Sequence, residues 1–241
     1  MQNQPVSTPT LAAQAGPFLA YLQDWLETLP GMPLSQAITD PARTAIVSVD
    51  VIEGFCYTGA LSSPRVAGIV APIVRLFQQA HQAGVRSILL TQDTHEPEAV
   101  EFAQWPAHCV RGTAEAETVD EIKTLPFFEE ITIFEKNSIA SGLNTALNDW
   151  LAAHPGIDTF IVVGDCTDLC TYQLAMHLRL DANARQLQRR VIVPADCVQT
   201  YDMPVETARG LGILPHPGDL IHAIFLYHMQ LNGVEVVKQI Q

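Results

Sequence analysis

The chain is short of three things. Its 241 residues hold only 13 lysines and arginines against 26 acidic side chains, a formal charge of −13, and no basic stretch outruns "QRR" at 188–190. Nothing here could neutralise phosphates along a duplex, which excludes nucleic acid as a partner class. Long apolar runs are missing too: none approaches the roughly 18–20 residues that span a bilayer, so no membrane partner is expected. The opening, "MQNQPVSTPTLAAQAG", lacks the basic-then-apolar order of a secretory signal. Cysteine is the third scarcity. Five is a small, odd count, unsuited to a secreted disulfide scaffold and suited to free thiols in a reducing cytoplasm. What is plentiful is apolar content, 48%, which suits one sizeable core or one core plus an arm.

Residues 1–16 are polar and rich in Pro, Ala and Gln, the composition of a mobile opening. "PFLAYLQDWLETLPG" (17–31) then puts Phe18, Leu19, Leu22, Trp25, Leu26 and Leu29 on helical spacing, closed by Pro30-Gly31. This predicts an arm helix over an N-terminal extension, 1–43, packing on its own chain or on a second subunit. From residue 44 to 241 apolar β-branched runs alternate with helical ones. Strands are predicted at 44–50, 85–93, 131–136, 158–165 and 189–196, and helices at 63–84, 141–156 (with a Ser cap), from about 168, at 204–214 and at 217–231. Strands of this kind alternating with helices imply right-handed βαβ units: an α/β domain of three layers, with a central parallel sheet covered on both faces. No internal repeat interrupts it.

In such sheets chemistry gathers beyond the carboxyl ends of the strands. Those ends carry Asp50, Asp93 with His95, Lys136, the stretch from Asp165 to Cys170, and Asp196. An aspartate there is as often a helix cap or turn residue as a functional group. A lysine closing an apolar strand is harder to dismiss, because a buried ammonium wants a carboxylate. Asp50, on what should be an adjacent strand, is the candidate partner. In "VVGDCTDLC", Thr167-Asp168 read as a helix cap that sets Cys170 in the first turn, where free N–H groups and the macrodipole favour a thiolate. Asp50, Lys136 and Cys170 together make a nucleophile with a proton carrier and an orienting cation. Cys166, four residues before Cys170, lacks the spacing of a redox or zinc CxxC pair, and no second pair exists to complete a four-cysteine site. Cys56, Cys109 and Cys197 read as packing residues or free thiols.

A second cluster lies in "TQDTHEPEAVEFAQWPAHCVRGT" (91–113). Asp93, His95, Glu101 and His108 form an oxygen/nitrogen set suited to Zn²⁺, Fe²⁺ or Mn²⁺, although loop histidines that only hydrogen-bond are common. Trp105-Pro106 offers a flat wall for a ring-shaped ligand.

Taken together, "IVSVDVIEGF", "QDTHEPE…WPAHCVRGT", "FEKNSI" and "VVGDCTDLC" closely resemble, in order over about 44–200, the isochorismatase-like cysteine hydrolases, whose fold is Rossmann-like. The D-x-H followed by W-P-x-H-C-V-x-G-T is similar to nicotinamidases. The resemblance implies a catalytic triad of Asp50, Lys136 and Cys170. It also implies a metal, zinc first and iron or manganese otherwise, on Asp93, His95 and His108. Glu101 matches the extra ligand of some members; Ala99 stands where others use serine. A cis peptide matching Asp165–Cys166 would aim the backbone N–H groups of Cys166 and Cys170 at an oxyanion. Phe55 and Trp105 match the walls of a nicotinamide pocket. The expected activity is hydrolysis of nicotinamide to nicotinate and ammonia through a thioester, in the cytoplasm, as part of NAD salvage and in a homo-oligomer. Another C–N hydrolase taking a carbamoyl or ureido substrate is the nearest alternative, and a non-catalytic binding protein on this fold is a different one. Isochorismatase itself, which splits a vinyl ether without cysteine or metal, fits less well. Two departures stand out: Leu143 replaces an aromatic of some nicotinamidases, and Asp165 replaces a residue usually apolar.

Overall fold

The structure, a computed structural model, describes residues 10–241, so the first nine residues of the expected mobile opening lie outside the described residues. The first helix, α1 (Leu11–Glu27), begins six residues earlier than the apolar spacing predicts. Thr10 supplies the start, its Oγ1 accepting from the Ala13 N–H, and Pro17 is carried inside the helix. Aromatic packing fixes α1 to its own chain: Phe18, Tyr21 and Trp25 meet the ring of Tyr227 edge-on at 5.5, 5.9 and 5.4 Å. The segment after it pairs with the C-terminus, where the Met32 N–H donates to Gln239 O and the Gln241 N–H to Met32 O, both at 2.9 Å.

Seven strands follow: β1 (Thr44–Val49), β2 (Ser87–Asp93), β3 (Thr132–Lys136), β4 (Thr159–Asp165), β5 (Arg190–Pro194), β6 (Val198–Gln199) and β7 (Glu235–Val237). They form one sheet in the order β3-β2-β1-β4-β5-β7, with β6 pairing the end of β4 and every pairing parallel. The expected three-layer α/β architecture with a helical N-terminal region is present. Its central strands are buried on both sides, which is why they are near-continuous apolar runs. Ile46, Ile88, Leu90, Ile161 and Val163 face one core with Ile73 and Phe77 of α2 (Val70–Gln82). Ala45, Val47, Val49, Phe160 and Val162 face the other. Against them pack α3 (Leu147–Ala153), α4 (Cys170–Ala184) and α6 (Gly218–Leu231), through Leu147, Leu174 and Leu226. The last long connection holds α5 (Val205–Leu211).

Three elements depart from expectation. The predicted helix 63–84 is broken into Pro64–Ala67 and α2, with Gly68 capping the first piece. Helix 141–156 shrinks to α3, because Ser141 does not cap it; the Ser141 hydroxyl is buried and donates to Thr91 Oγ1 at 2.9 Å. Strands β1 and β3 are not neighbours, since β2 lies between them. The chain therefore runs outward from β1 in one direction through β2 and β3, and returns to add β4 on the other side. That reversal sits between β1 and β4, where a parallel sheet opens a crevice at its carboxyl edge.

Candidate active site

The crevice is lined by strand ends. Asp50 follows β1 in the left-handed region, φ 56°. Its position depends on Gly164, paired to Val49 across the sheet. A Cβ on Gly164 would fall 2.0 Å from Val49 O, and its φ of 113° is one only glycine adopts freely. Asp93 ends β2 and Lys136 ends β3, paired in register. Cys170 opens α4 directly after the β4 turn.

These side chains converge. Lys136 Nζ lies 2.8 Å from Asp50 Oδ2, pairs closely with Asp93 Oδ1, and donates to Ser138 O at 3.1 Å. Cys170 Sγ is 3.6 Å from the same nitrogen, and Asp50, Asp93 and Cys170 bring polar atoms within 4.8 Å of one another. The Asp93 N–H donates to Asp50 Oδ1 at 2.8 Å, so the backbone of β2 also fixes the first carboxylate. The predicted Asp50–Lys136 pair is thus a trio, with Asp93 interposed because β2 separates the two strands.

Burial governs the charges. It pulls the Lys136 ammonium down, yet Asp50 and Asp93 outweigh it and keep the amine firmly protonated. Asp50 is pushed up to about 7, first by burial and then by the Asp93 charge, with Lys136 opposing. Burial likewise lifts Asp93, but Lys136 and His95 overrule it and hold that carboxyl below its ordinary range. The Cys170 thiol is raised, burial and the two carboxylates outweighing the pull of Lys136. The sequence suggests a ready thiolate at a helix start; the folded site holds a thiol beside a carboxylate able to take its proton.

The turn before α4 also differs from expectation. Thr167 and Asp168 do not cap the helix, whose N-cap position is Leu169 without a side-chain bond. They bond to distant partners instead: Thr167 Oγ1 meets His222 Nδ1 at 2.8 Å, and Asp168 Oδ2 meets His216 Nε2 at 2.9 Å. The Asp165–Cys166 peptide is cis. In this turn the N–H groups of Thr167, Leu169 and Thr171 are donated to backbone carbonyls, whereas those of Cys166 and Cys170 have no backbone acceptor among the described residues. Asp165 is fully buried, and burial followed by the Asp50 charge raises its carboxyl well above the usual range.

Next to the trio, Asp93, His95 and His108 place one potential ligand atom each within 4.8 Å of the others. His108 Nδ1 donates to Pro106 O at 2.8 Å, which leaves Nε2 as a bare lone pair facing Asp93 Oδ2 at 4.0 Å. His95 Nε2 stands 3.6 Å from the same oxygen, and neither His95 ring nitrogen, although buried, has a hydrogen-bond partner among the described residues. Two acceptors facing one another across 4 Å, beside an orphaned imidazole, are what a divalent cation satisfies. The residues fit a metal. Glu101 stands outside this close group, though its charge acts on His95.

Aromatic rings close the site. Phe55 lies 5.7 Å from the His108 ring. Phe102, not singled out from the sequence, lies 5.4 and 5.5 Å from His95 and His108. Trp105 meets Tyr201 edge-on at 6.3 Å. Tyr201 also escaped notice because β6, which delivers it, is two residues long and carries no readable period.

The described residues contain no helix long and apolar enough to cross a membrane. The isochorismatase domain model matches residues 44–212. Nicotinamidase 1 of Arabidopsis thaliana is 27% identical over 216 residues, covering 83% of this chain and 87% of that one. A nicotinamidase of Acinetobacter baylyi is 29% identical over 190 residues, covering 66% and 82%. Among solved structures, the pyrazinamidase of Pyrococcus horikoshii in complex with zinc superposes with a TM-score of 0.62 at 23% identity, covering 81% of this chain and 99% of that one. Sequence and fold agree: the chain belongs to the isochorismatase family and is a hydrolase.

Proposed function

We propose that the protein hydrolyses a small aromatic carboxamide, nicotinamide to nicotinate and ammonia, with Asp50, Lys136 and Cys170 as catalytic residues. One observation carries the reading. A buried ammonium lies between two carboxylates with a cysteine sulfur 3.6 Å away, directly beside a three-residue metal-ligand set. The two nicotinamidase relatives support this choice of substrate.

Cys170 gives its proton to Asp50, whose carboxyl, tuned to about 7, can both take and return it near neutral pH. The sulfur attacks the amide carbon, and the carbonyl oxygen, now an anion, is received by the N–H groups of Cys166 and Cys170. Asp50 passes the proton to the amide nitrogen, the C–N bond breaks and ammonia leaves. Asp50 then removes a proton from water; the hydroxide adds to the thioester, the acid departs, and Asp50 returns its proton to the released Cys170 sulfur. Lys136 keeps Asp50 aimed and offsets negative charge throughout. Asp93, His95 and His108 would hold the divalent cation, with Glu101 near enough to contribute charge; when bound, that ion supplies a Lewis-acidic anchor for the ring nitrogen. Phe55, Phe102 and Trp105 supply the ring's apolar surroundings.

The test is an ammonia-release screen over nicotinamide, pyrazinamide and carbamoyl compounds, with and without chelator. Nicotinamide turnover that is lost on chelation and restored by Zn²⁺, Fe²⁺ or Mn²⁺ is expected. Release from a carbamoyl compound alone would move the activity to another C–N hydrolase, and no release from any of them would leave a binding protein.

A further inference from the structure

The turn that joins Cys166 to Cys170 is gripped by residues of the later segment 201–222. Thr167 is fully buried and bonded to His222. Asp168, also buried, is bonded to His216 Nε2 through Oδ2 at 2.9 Å. His216 uses its second nitrogen as well, Nδ1 lying 3.0 Å from the backbone carbonyl of Tyr201. A carbonyl oxygen only accepts, so Nδ1 bears a proton; an ionised carboxylate only accepts, so Nε2 bears one too. The same ring lies flat on the Tyr201 ring, with centroids 3.9 Å apart and planes 16° from parallel. Tyr201 continues to Trp105. One imidazole therefore ties the turn bearing both cysteines to the aromatic wall.

The neighbouring Arg65 and His222 are engaged elsewhere. Arg65 donates to Thr200 O at 3.0 Å and to Gln199 Oε1 at 3.2 Å, and pairs with Asp219 at 2.6 Å. His222 is held neutral, burial and then Arg65 pulling it down to about 4. Asp168 is the carboxylate that answers His216, and its second oxygen, buried, has no partner among the described residues. Losing the bridge would leave a buried carboxylate wholly unpaired in the turn.

Building on the cysteine amidase reading, we infer that His216 is a positioning residue of the reaction: donating from both ring nitrogens, it locks the Cys166–Cys170 turn in register with the Tyr201 wall. The turn carries the N–H groups that meet the developing oxyanion, so the bridge is felt in the chemical step. Tyr201 itself is held by stacking, which an apolar ring can reproduce.

Two measurements test this. In ¹⁵N-labelled wild-type protein at neutral pH, both His216 ring nitrogens should carry protons. In Asp168→Asn, whose amide N–H can donate to Nε2, the ring should keep the Nδ1 proton alone. A singly protonated His216 in the wild type, or a doubly protonated one persisting in Asp168→Asn, overturns the inference. His216→Phe preserves the stack and deletes both donors. Its kcat should fall about tenfold to a hundredfold, with KM for nicotinamide within about twofold and metal content unchanged. An unaltered kcat, or a loss confined to KM, overturns it equally. Should His216→Phe not fold, the nitrogen measurements decide. Should wild type fail to turn over nicotinamide, the functional reading fails, while the nitrogen measurements still report on the bridge.

Discussion

Replacing Lys136 by methionine separates the structural and chemical roles of the buried trio. The ammonium is inaccessible to solvent, 2.8 Å from Asp50 and paired with Asp93. Methionine nearly fills the volume but leaves two buried carboxylates facing each other without a cation. Removing one member of such a pair costs about 3–5 kcal/mol. For a chain of 241 residues that corresponds to a fall of roughly 6–20 °C in melting point. Chemistry suffers separately. Asp50 already sits up at about 7, with Lys136 the main influence holding it down. Without the cation it keeps its proton at neutral pH and cannot accept one from Cys170, so kcat should drop by about 10²–10⁴. Thermal denaturation and steady-state ammonia release measure the two effects. Adding Asp93→Asn to Lys136→Met should return part of the stability, because one uncompensated charge is gone, and none of the activity. A Lys136→Met protein with both wild-type melting point and wild-type turnover would refute the electrostatic account of the site.

The other expectations are simpler. Cys170→Ala should lose about a thousandfold or more in turnover while binding the metal as before, checked by metal analysis alongside kinetics; substantial residual activity counts against the nucleophile. Gly164→Ala should destabilise by at least about 3 kcal/mol in urea denaturation, since its Cβ meets Val49 backbone rather than a side chain that can move. His222 gives a pH signature. Its folded pKa, about 4, lies below the ordinary 6.5, so the unfolded chain binds the extra proton between those values and stability falls as pH drops through that window. The loss should approach about 3 kcal/mol near pH 4, and His222→Gln should remove that contribution from the slope; an identical slope in the variant would rule the assignment out.

What the sequence made legible follows from how strongly burial constrains each segment. β1, β2 and β4 are read easily because both faces are covered, and nearly every position must be apolar. β6 and β7 have two and three residues, too few for any period to emerge, and are held in place by pairing with β4 and β5. The helix caps failed for a shared reason. Ser141, Thr167 and Asp168 have the chemistry of N-caps, but each has a partner brought from far along the chain: Thr91, His222 and His216. Local hydrogen-bonding preference yields where a buried polar atom can be satisfied only by a distant one.

The candidate site shows the same division between what is local and what is assembled. Each of Asp50, Asp93, Lys136 and Cys170 could be found singly, because a polar residue closing an apolar strand, or opening the helix after one, marks the carboxyl edge of the sheet. Their partnerships could not. Strand order is set by crossover connections, and inserting β2 between β1 and β3 gives Asp93 two duties at once. One oxygen neutralises Lys136, and the other faces both imidazoles. That sharing links the Asp50–Lys136–Cys170 group to the Asp93–His95–His108 cluster through one carboxylate. Asp93→Asn should therefore weaken metal retention and, by removing the charge that lifts it, lower the pKa of Asp50 together, whereas His108→Ala should disturb the first and spare the resting Asp50–Lys136 pair.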